Sequence, residues 1–341
     1  MDYLPRAFYD DVFGQLEKKD IGTAQELKGA FGRVAADHYG KRRELGMYFA
    51  GLQLVCGSVN LWILSKVKIF QNAFGTISAS RTTVDMLSSL LHISYSSYVT
   101  LSQRSDYPSY LAIAAGNLGY VFATISCGLH VLLAMNRFTS VYFPMKYALV
   151  FSRRNCVRII AALVVGLSSF VLLSYNLVPC NVIGYGAAHY GYIMLSCSDP
   201  NHERPFHFGR LVNWLCGTFF CFGAIVMDAA TIRKLYVLKN SHGITNQNNF
   251  DVKVRFTKQS FSQNIPMFIE IIFLTLGDNS PDDSKALERT VSFILTRFTD
   301  LINTTTIIIF NPEARSFLFK RMNRVTAGSS MAGNHPEVAN Y

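Results

Sequence analysis

LHVLLAMNRFTSVYFPMKY, residues 129–147, carries an apolar run into an arginine, then into a phenylalanine-proline pair and two further polar positions. A cation where an apolar run finishes has two solutions. It snorkels to the interface along its aliphatic stem, or it faces the interior of a bundle. The choice matters only if the segment crosses a membrane, and the rest of the chain says that it does. Of the 341 residues 50% are hydrophobic and 16% charged, with a positive mean hydropathy of +0.21, whereas soluble domains sit near a quarter charged.

Working outward from residue 129, apolar stretches long enough to cross a hydrocarbon core of about 30 Å recur near 47–65, 74–101, 109–138, 156–177, 208–236, 256–277 and 288–310. The fourth, VRIIAALVVGLSSFVLLSY, is the cleanest; the second and seventh carry many polar groups. Backbone groups in lipid are satisfied only within helices or closed barrels. Barrel strands alternate over about ten residues, and these segments do not. The expected fold is all-α, a seven-transmembrane helix bundle.

Lys and Arg place the loops, because cytoplasmic segments hold the excess. With the N-terminus outside, the inner segments are 66–73 (Lys66, Lys68), 139–155 (Lys146, Arg153, Arg154), 233–258 (Arg233, Lys234, Lys239, Lys253, Arg255, Lys258) and the tail (Arg315, Lys320, Arg321, Arg324). The outer loops hold Arg104, Arg204, Lys285 and Arg289. The net charge of +10 is thus a topology signal. Nucleic acid is excluded as a partner, since the basic residues form no single stripe, whereas an anionic bilayer surface attracts them.

Residues 1–45 conflict with this frame. Lys41, Arg42 and Arg43 precede the first span, and such a cluster is held in the cytoplasm by the same rule. MDYLPRAFYDDVFGQLEKKD lacks the basic start and apolar run of a signal peptide. The segment is read as an N-terminal extension, either an extracellular tail or a piece joined by fusion or gene-model error; LPxxFYDDVFxxL loosely resembles an F-box-like start. Residues 46–312 form the bundle and 313–341 the cytoplasmic tail.

Of seven cysteines, Cys180 and Cys197 alone fall in the long outer loop 178–207, where the compartment is oxidising. They are candidates for a disulfide closing a short loop, worth about 3 kcal/mol; the other five read as small apolar packing. No zinc-type cluster occurs and no cofactor is implied.

In LLAMNRFTSVYFPMKYALVFS an Asn-Arg-aromatic triplet is followed by FPMKY and then by FS with paired arginines. This resembles the end of the third helix in nematode serpentine chemoreceptors, and more narrowly class X, Srx. The resemblance extends over about residues 50–322, through LSKVKIFQNAFGTISASR, MDAATIRKL, VKVRFTKQSFSQNIPMFIE and DLINTTTIIIFNPEAR. It implies a rhodopsin-like, G-protein-coupled chemosensory receptor in the plasma membrane. Asn136, Arg137 and Phe138 stand where related receptors carry an acidic-Arg-Tyr triplet, whose Arg contacts helix six at rest and the G protein when active. Pro144, Lys146 and Tyr147 belong to the adjoining coupling loop. Asn136 replaces the acid, so the intrahelical ion pair is missing and a tight resting lock is not expected. NTTTIIIF replaces the usual Asn-Pro-aromatic switch of helix seven, and Pro266 is the kink candidate of helix six.

Polar groups inside spans mark function or helix-packing glue. On the third span Asn117, Tyr120, Thr124 and Cys127 share a face by spacing. Glu270 is expected to pair with Arg297 across helices six and seven, bordering a ligand cavity with Asn117, Tyr120, Asn213 and Trp214; the alternative is a local Arg297–Asp300 pair. Asn60, Asp85 and Asp300 lie near mid-membrane, where a shared polar network is expected. Asp228 reads as interfacial, paired with Arg233 or Lys234, and His130 as a packed core histidine.

The expected function is a receptor for an environmental small molecule that activates a heterotrimeric G protein. A transporter or channel would show internal repeats, and none is found. A membrane enzyme would need a nucleophile-base or metal constellation, which the scattered histidines do not supply. A mis-joined, non-signalling product is the remaining alternative.

Overall fold

A computed structural model describes residues 47–96, 98–99, 109–177, 183–186, 191–194, 219–241, 247–277, 296 and 298–320, with the backbone alone for the two strands and for residues 96, 109, 241, 247–253 and 270–277. Helix occurs in every one of the seven expected segments. We label the seven long helices α1 (Met47–Lys66), α2 (Ala73–Leu91), α3 (Ser109–Tyr142), α4 (Arg153–Leu177), α5 (Phe222–Ser241), α6 (Gln247–Gly277) and α7 (Phe298–Phe310).

Among the described residues, α1, α3 from Tyr110 and α4 are long and apolar enough to cross a membrane on their own composition. The others carry their polar groups inward. On α2, for example, Arg81 and Asp85 are both buried. The apolar face of α4 points outward instead, with Val165, Leu173 and Leu177 exposed, as suits a lipid-facing helix.

α3 is the central element. It packs against α2, α4 and α5, and its buried residues Val121, Ile125, Leu129, His130, Leu132, Leu133, Asn136 and Arg137 span about half of the helix circumference, while Met135 stays exposed. The 34 residues of α3 rise about 51 Å at 1.5 Å each, well beyond the hydrocarbon thickness. It therefore runs on past the expected end at 138, as far as Tyr142, which leaves Arg137 inside the bundle.

Local chemistry explains the turns that hold α3 in place. A 3₁₀ turn, Lys68–Phe70, follows α1, and the Asn72 side chain caps α2 by accepting from the Gly75 amide at 3.0 Å, as N-cap asparagines do. After α3, Pro144 opens a short helix, Pro144–Val150, from its first position, where a proline loses no bond. Pro312 does the same for a helix over 312–320. The bundle also carries a two-stranded addition to the expected all-α fold. Strands β1 (Ile183–Gly186) and β2 (Gly191–Met194) pair antiparallel, and β1 lies against α3. The inner segment expected over 233–258 is largely helical too, because α5 continues to Ser241 and α6 begins at Gln247.

Small residues set the close approaches. A Cβ on Gly128 of α3 would sit 2.6 Å from Leu167 Cδ1 of α4, while one on Gly75 would run into the Phe70 carbonyl oxygen. A leucine tip can move and a backbone oxygen in a capped turn cannot. Gly75→Ala is therefore expected to cost about 1–3 kcal/mol as overpacking. Gly166→Ala, which meets nothing within 4 Å, gains up to about 1 kcal/mol of helix propensity. Thermal unfolding of the detergent-solubilised protein should show the first midpoint falling and the second level or rising.

Candidate functional site

Arg137 and Asp228 meet in the bundle interior. The Arg137 Nε lies 3.2 Å from Asp228 Oδ1, with side chains 6% and 0% exposed. Ser260 of α6 bridges them, accepting from Arg137 Nη2 and donating to Asp228 Oδ2. Asn264, one turn further along α6, donates to the same oxygen at 2.7 Å. The carboxylate thus accepts from three donors on two helices, α3 once and α6 twice. The guanidinium also lies over the Phe74 ring of α2, 5.9 Å from its centroid, and Phe74 packs on Phe256 of α6 at 4.5 Å.

A buried ion pair survives only when its remaining lone pairs and protons are met, because each ion gives up several kcal/mol of hydration. Asp228 meets this requirement fully. Arg137 does not, since its Nη1 has no hydrogen-bond partner among the described residues.

Asp228 is the clearest correction to the sequence reading. It is fully buried, and its partner is Arg137 instead of Arg233 or Lys234. Arg137 has not snorkelled either. The tight lock that Asn136 argued against is supplied from α5, so the counter-ion has moved from the same helix to a neighbouring one. Asn136 is buried and donates to the Tyr147 hydroxyl at 3.2 Å, tying the end of α3 to the short helix Pro144–Val150. Burial pushes the Tyr147 phenol above its ordinary pKa, against the opposing hydrogen bond from Asn136. Phe138 stacks on Tyr142 at 4.4 Å, and Tyr142 donates to the Ala230 carbonyl of α5 at 3.1 Å. Pro144 and Lys146 are exposed.

The polar chain continues away from Arg137. His130, expected as core packing, is buried but doubly bonded, to Asn264 Oδ1 through Nε2 and to Arg81 Nη1 through Nδ1. Arg81 Nε lies 3.9 Å from Asp85 Oδ2, and Ser126 of α3 donates to Asp85 Oδ1 at 2.7 Å. Asn60 of α1 donates to Thr82 of α2 at 2.9 Å. The Asp300 carbonyl accepts from Thr304, whose hydroxyl also lies 3.2 Å from Gln53 Oε1 of α1.

α6 is fastened to α7 by a second set of bonds. Gln263 donates to the Asn303 carbonyl at 2.9 Å and to Thr306 at 2.6 Å. Asn311 donates to Gln259 at 3.0 Å, and Arg255 pairs with Glu313 at 3.0 Å.

The expected ligand residues are less fully described. Asn117 is buried and its Nδ2 lies 3.5 Å from Asn176 Oδ1 of α4, while Tyr120 packs edge-on against Tyr175 of the same helix at 5.2 Å. Asn213, Trp214, Arg297, Cys180 and Cys197 lie outside the described residues, as does the side chain of Glu270. Sequence reasoning missed Ser260, Asn264, Gln259, Gln263, Arg81 and Ser126. The signal was available in FTKQSFSQN, where polar residues recur every four positions on two adjacent rows.

A family model described as serpentine type 7TM GPCR chemoreceptor Srx matches residues 51–311. The chain belongs to the Srx family. It is a multi-pass membrane protein of the serpentine chemoreceptor type, and no curated protein matches it. The matched span takes in each residue of the Arg137 site and the polar chain up to Asn311; the Arg255–Glu313 contact reaches two residues beyond it.

In this Srx receptor, removing one partner of the lock strands the other charge. Asp228→Ala is expected to cost about 3–5 kcal/mol, whereas the joint Arg137→Met, Asp228→Leu change is close to neutral. Unfolding midpoints in detergent check this: the single variant should melt well below the native receptor and the double near it.

Proposed function

We propose that this protein is a G-protein-coupled chemosensory receptor of rhodopsin-like architecture in the plasma membrane. Its N-terminus lies outside and its C-terminus in the cytoplasm, where it activates a heterotrimeric G protein when a small environmental molecule binds. The observation that carries the reading is the caging of Arg137 by groups on two other helices. Asp228 and Ser260 hold a permanent cation in the interior, yet leave Nη1 without a partner. An unmet buried donor costs about 1–3 kcal/mol, so an arrangement that supplies an acceptor for it competes with the closed state. Separation of α6 from α3 and α5 removes Ser260 and Asn264 from the cage and opens the cytoplasmic ends around Arg137. A bound ligand shifts that balance only by its difference in affinity for the two states.

Asn136 and Phe138 set the flanks of Arg137 in this reading, and Pro144, Lys146 and Tyr147 form the loop that the G protein meets beside it. Asn117 and Tyr120 belong to the outer half of α3, where the ligand enters with Asn213, Trp214, Glu270 and Arg297 around it. A Cys180–Cys197 disulfide braces the outer loop. Asn60, Asp85 and Asp300 carry the change between the two ends.

Nucleotide exchange on a panel of purified Gα classes, with the receptor in nanodiscs and no ligand, tests the coupling. Asp228→Asn weakens the cage and is expected to raise basal exchange about tenfold for each 1.4 kcal/mol lost from the closed state. Arg137→Ala is expected to return exchange to the receptor-free level. Equal exchange by all three forms, with full surface expression, would remove Arg137 from the mechanism.

Epitope tags at the two termini, probed in intact and permeabilised cells, test the topology. An exposed N-terminal and a hidden C-terminal tag are expected. Two hidden tags would mean that Lys41, Arg42 and Arg43 hold the N-terminus inside.

A further inference from the structure

We propose that His130 is the positioning residue that joins the Arg81–Asp85 pair to the Arg137–Asp228 lock, so that two charge pairs on α2, α3 and α5 change state together through α6. The signalling consequence rests on the reading of Arg137 given above; the physical coupling does not.

The argument starts from what each group is able to do. Arg81 is a donor only, so the His130 Nδ1 that faces it holds a lone pair. The proton of the neutral ring is then on Nε2, which donates to Asn264 Oδ1. Asn264 has its amide nitrogen left for Asp228, an acceptor only. Every bond from Arg81 to Asp228 therefore points the same way, and no member can reverse its role without breaking both neighbours. The ring is rigid, which makes the position of one nitrogen fix that of the other.

The same bonds close a circuit. His130 and Arg137 are seven residues apart on α3, about 10.5 Å along its axis, and thus on one face. Between them on α6 lie Asn264 and Ser260, four apart, each held by one of the two. Both also bond Asp228 of α5. α6 cannot leave α3 at Ser260 alone, because His130 retains it one turn away; and a His130 ring that follows Asn264 leaves Arg81 without the acceptor for its Nη1.

A double-mutant cycle tests this without removing a charge. Ser126→Ala takes a bond from Asp85, and Ser260→Ala takes the bridging hydroxyl from the lock. Unfolding midpoints of the two single variants and the double are measured in nanodiscs, first with His130 and then with His130→Leu. With His130 the midpoint of the double is expected to depart from additivity by about 2 °C or more. With His130→Leu the shifts are expected to add. The same departure in both backgrounds, or additivity in both, overturns the proposal.

Should His130→Leu fail to fold, two half-variants take its place. His130→Gln reaches Asn264 but not Arg81 as well, and His130→Asn the reverse. Each keeps one bond, and each is expected to abolish the coupling; coupling retained in both overturns it. Basal nucleotide exchange on the same variants separates the two readings. Lost stability coupling with exchange unchanged throughout leaves His130 as the joint and refutes the signalling role of Arg137.

Discussion

A guanidinium and a carboxylate held 3.2 Å apart with almost no exposure impose a condition on everything around them. In a low-dielectric interior each charge is tolerable only beside the other and only with its remaining hydrogen-bond positions occupied. Asp228 must therefore come from a helix that packs on α3, and α6 must present hydroxyl and amide donors at the same level. α3, α5 and α6 have no freedom to choose their mutual register once that pair exists. The apolar packing around it, from Phe74 and Phe256 to Leu133, fills space that the charges have already laid out. An apolar core alone would allow these helices to slide by a turn at modest cost; a buried charge pair forbids it.

α6 is the element on which two such demands converge. Its Arg255, Gln259 and Gln263 row bonds α7 and the helix that follows it. Its Phe256, Ser260 and Asn264 row, one position on, meets α2, α3 and α5. The half-buried Arg255–Glu313 pair keeps some contact with water and contributes about 0–1 kcal/mol, while the buried amide bonds have no water to fall back on. Pro266 lies inside the helix, just beyond both rows. It cannot donate to the turn before it, which makes this the weakest point of the α6 ladder. The half of α6 that precedes Pro266 is thus the clamped half.

Much of the architecture was legible because the bilayer is a strict solvent. Twenty or so apolar residues leave little choice but a helix, and α1, α3 and α4 follow from composition. The Asn-Arg-Phe triplet and FPMKY located the last turns of α3 to within a turn and the proline that starts the next helix. What stayed hidden were the partners. Asp228 sits in MDAATIRKL about one and a half turns from basic residues, and one-dimensional proximity favoured Arg233 and Lys234; only the rotation of α5 turns the carboxylate inward toward α3. His130 looked like core packing because a helical histidine among leucines gives no sign of what faces it. The amide rows of α6 were visible as a period of four, yet the pattern does not name the helices they meet. The hairpin after α4 has no apolar alternation strong enough to announce itself.

The position of the counter-ion has a mechanical consequence. An acid beside the arginine on its own helix would restrain the guanidinium without reference to any other element, so the pair could persist while helices moved. With Asn136 at that place the negative charge comes from α5, and the restraint is a bond between helices. Any motion that separates α3 from α5 must then break an ion pair in the interior, at a cost several times that of a surface pair. Intermediate separations are the worst, because both charges lose their partner before water reaches either. Asn136 is thereby left to bond the Tyr147 hydroxyl instead. The substitution that seemed to weaken the closed state places its strength in the contact between helices, where a change of shape can act on it.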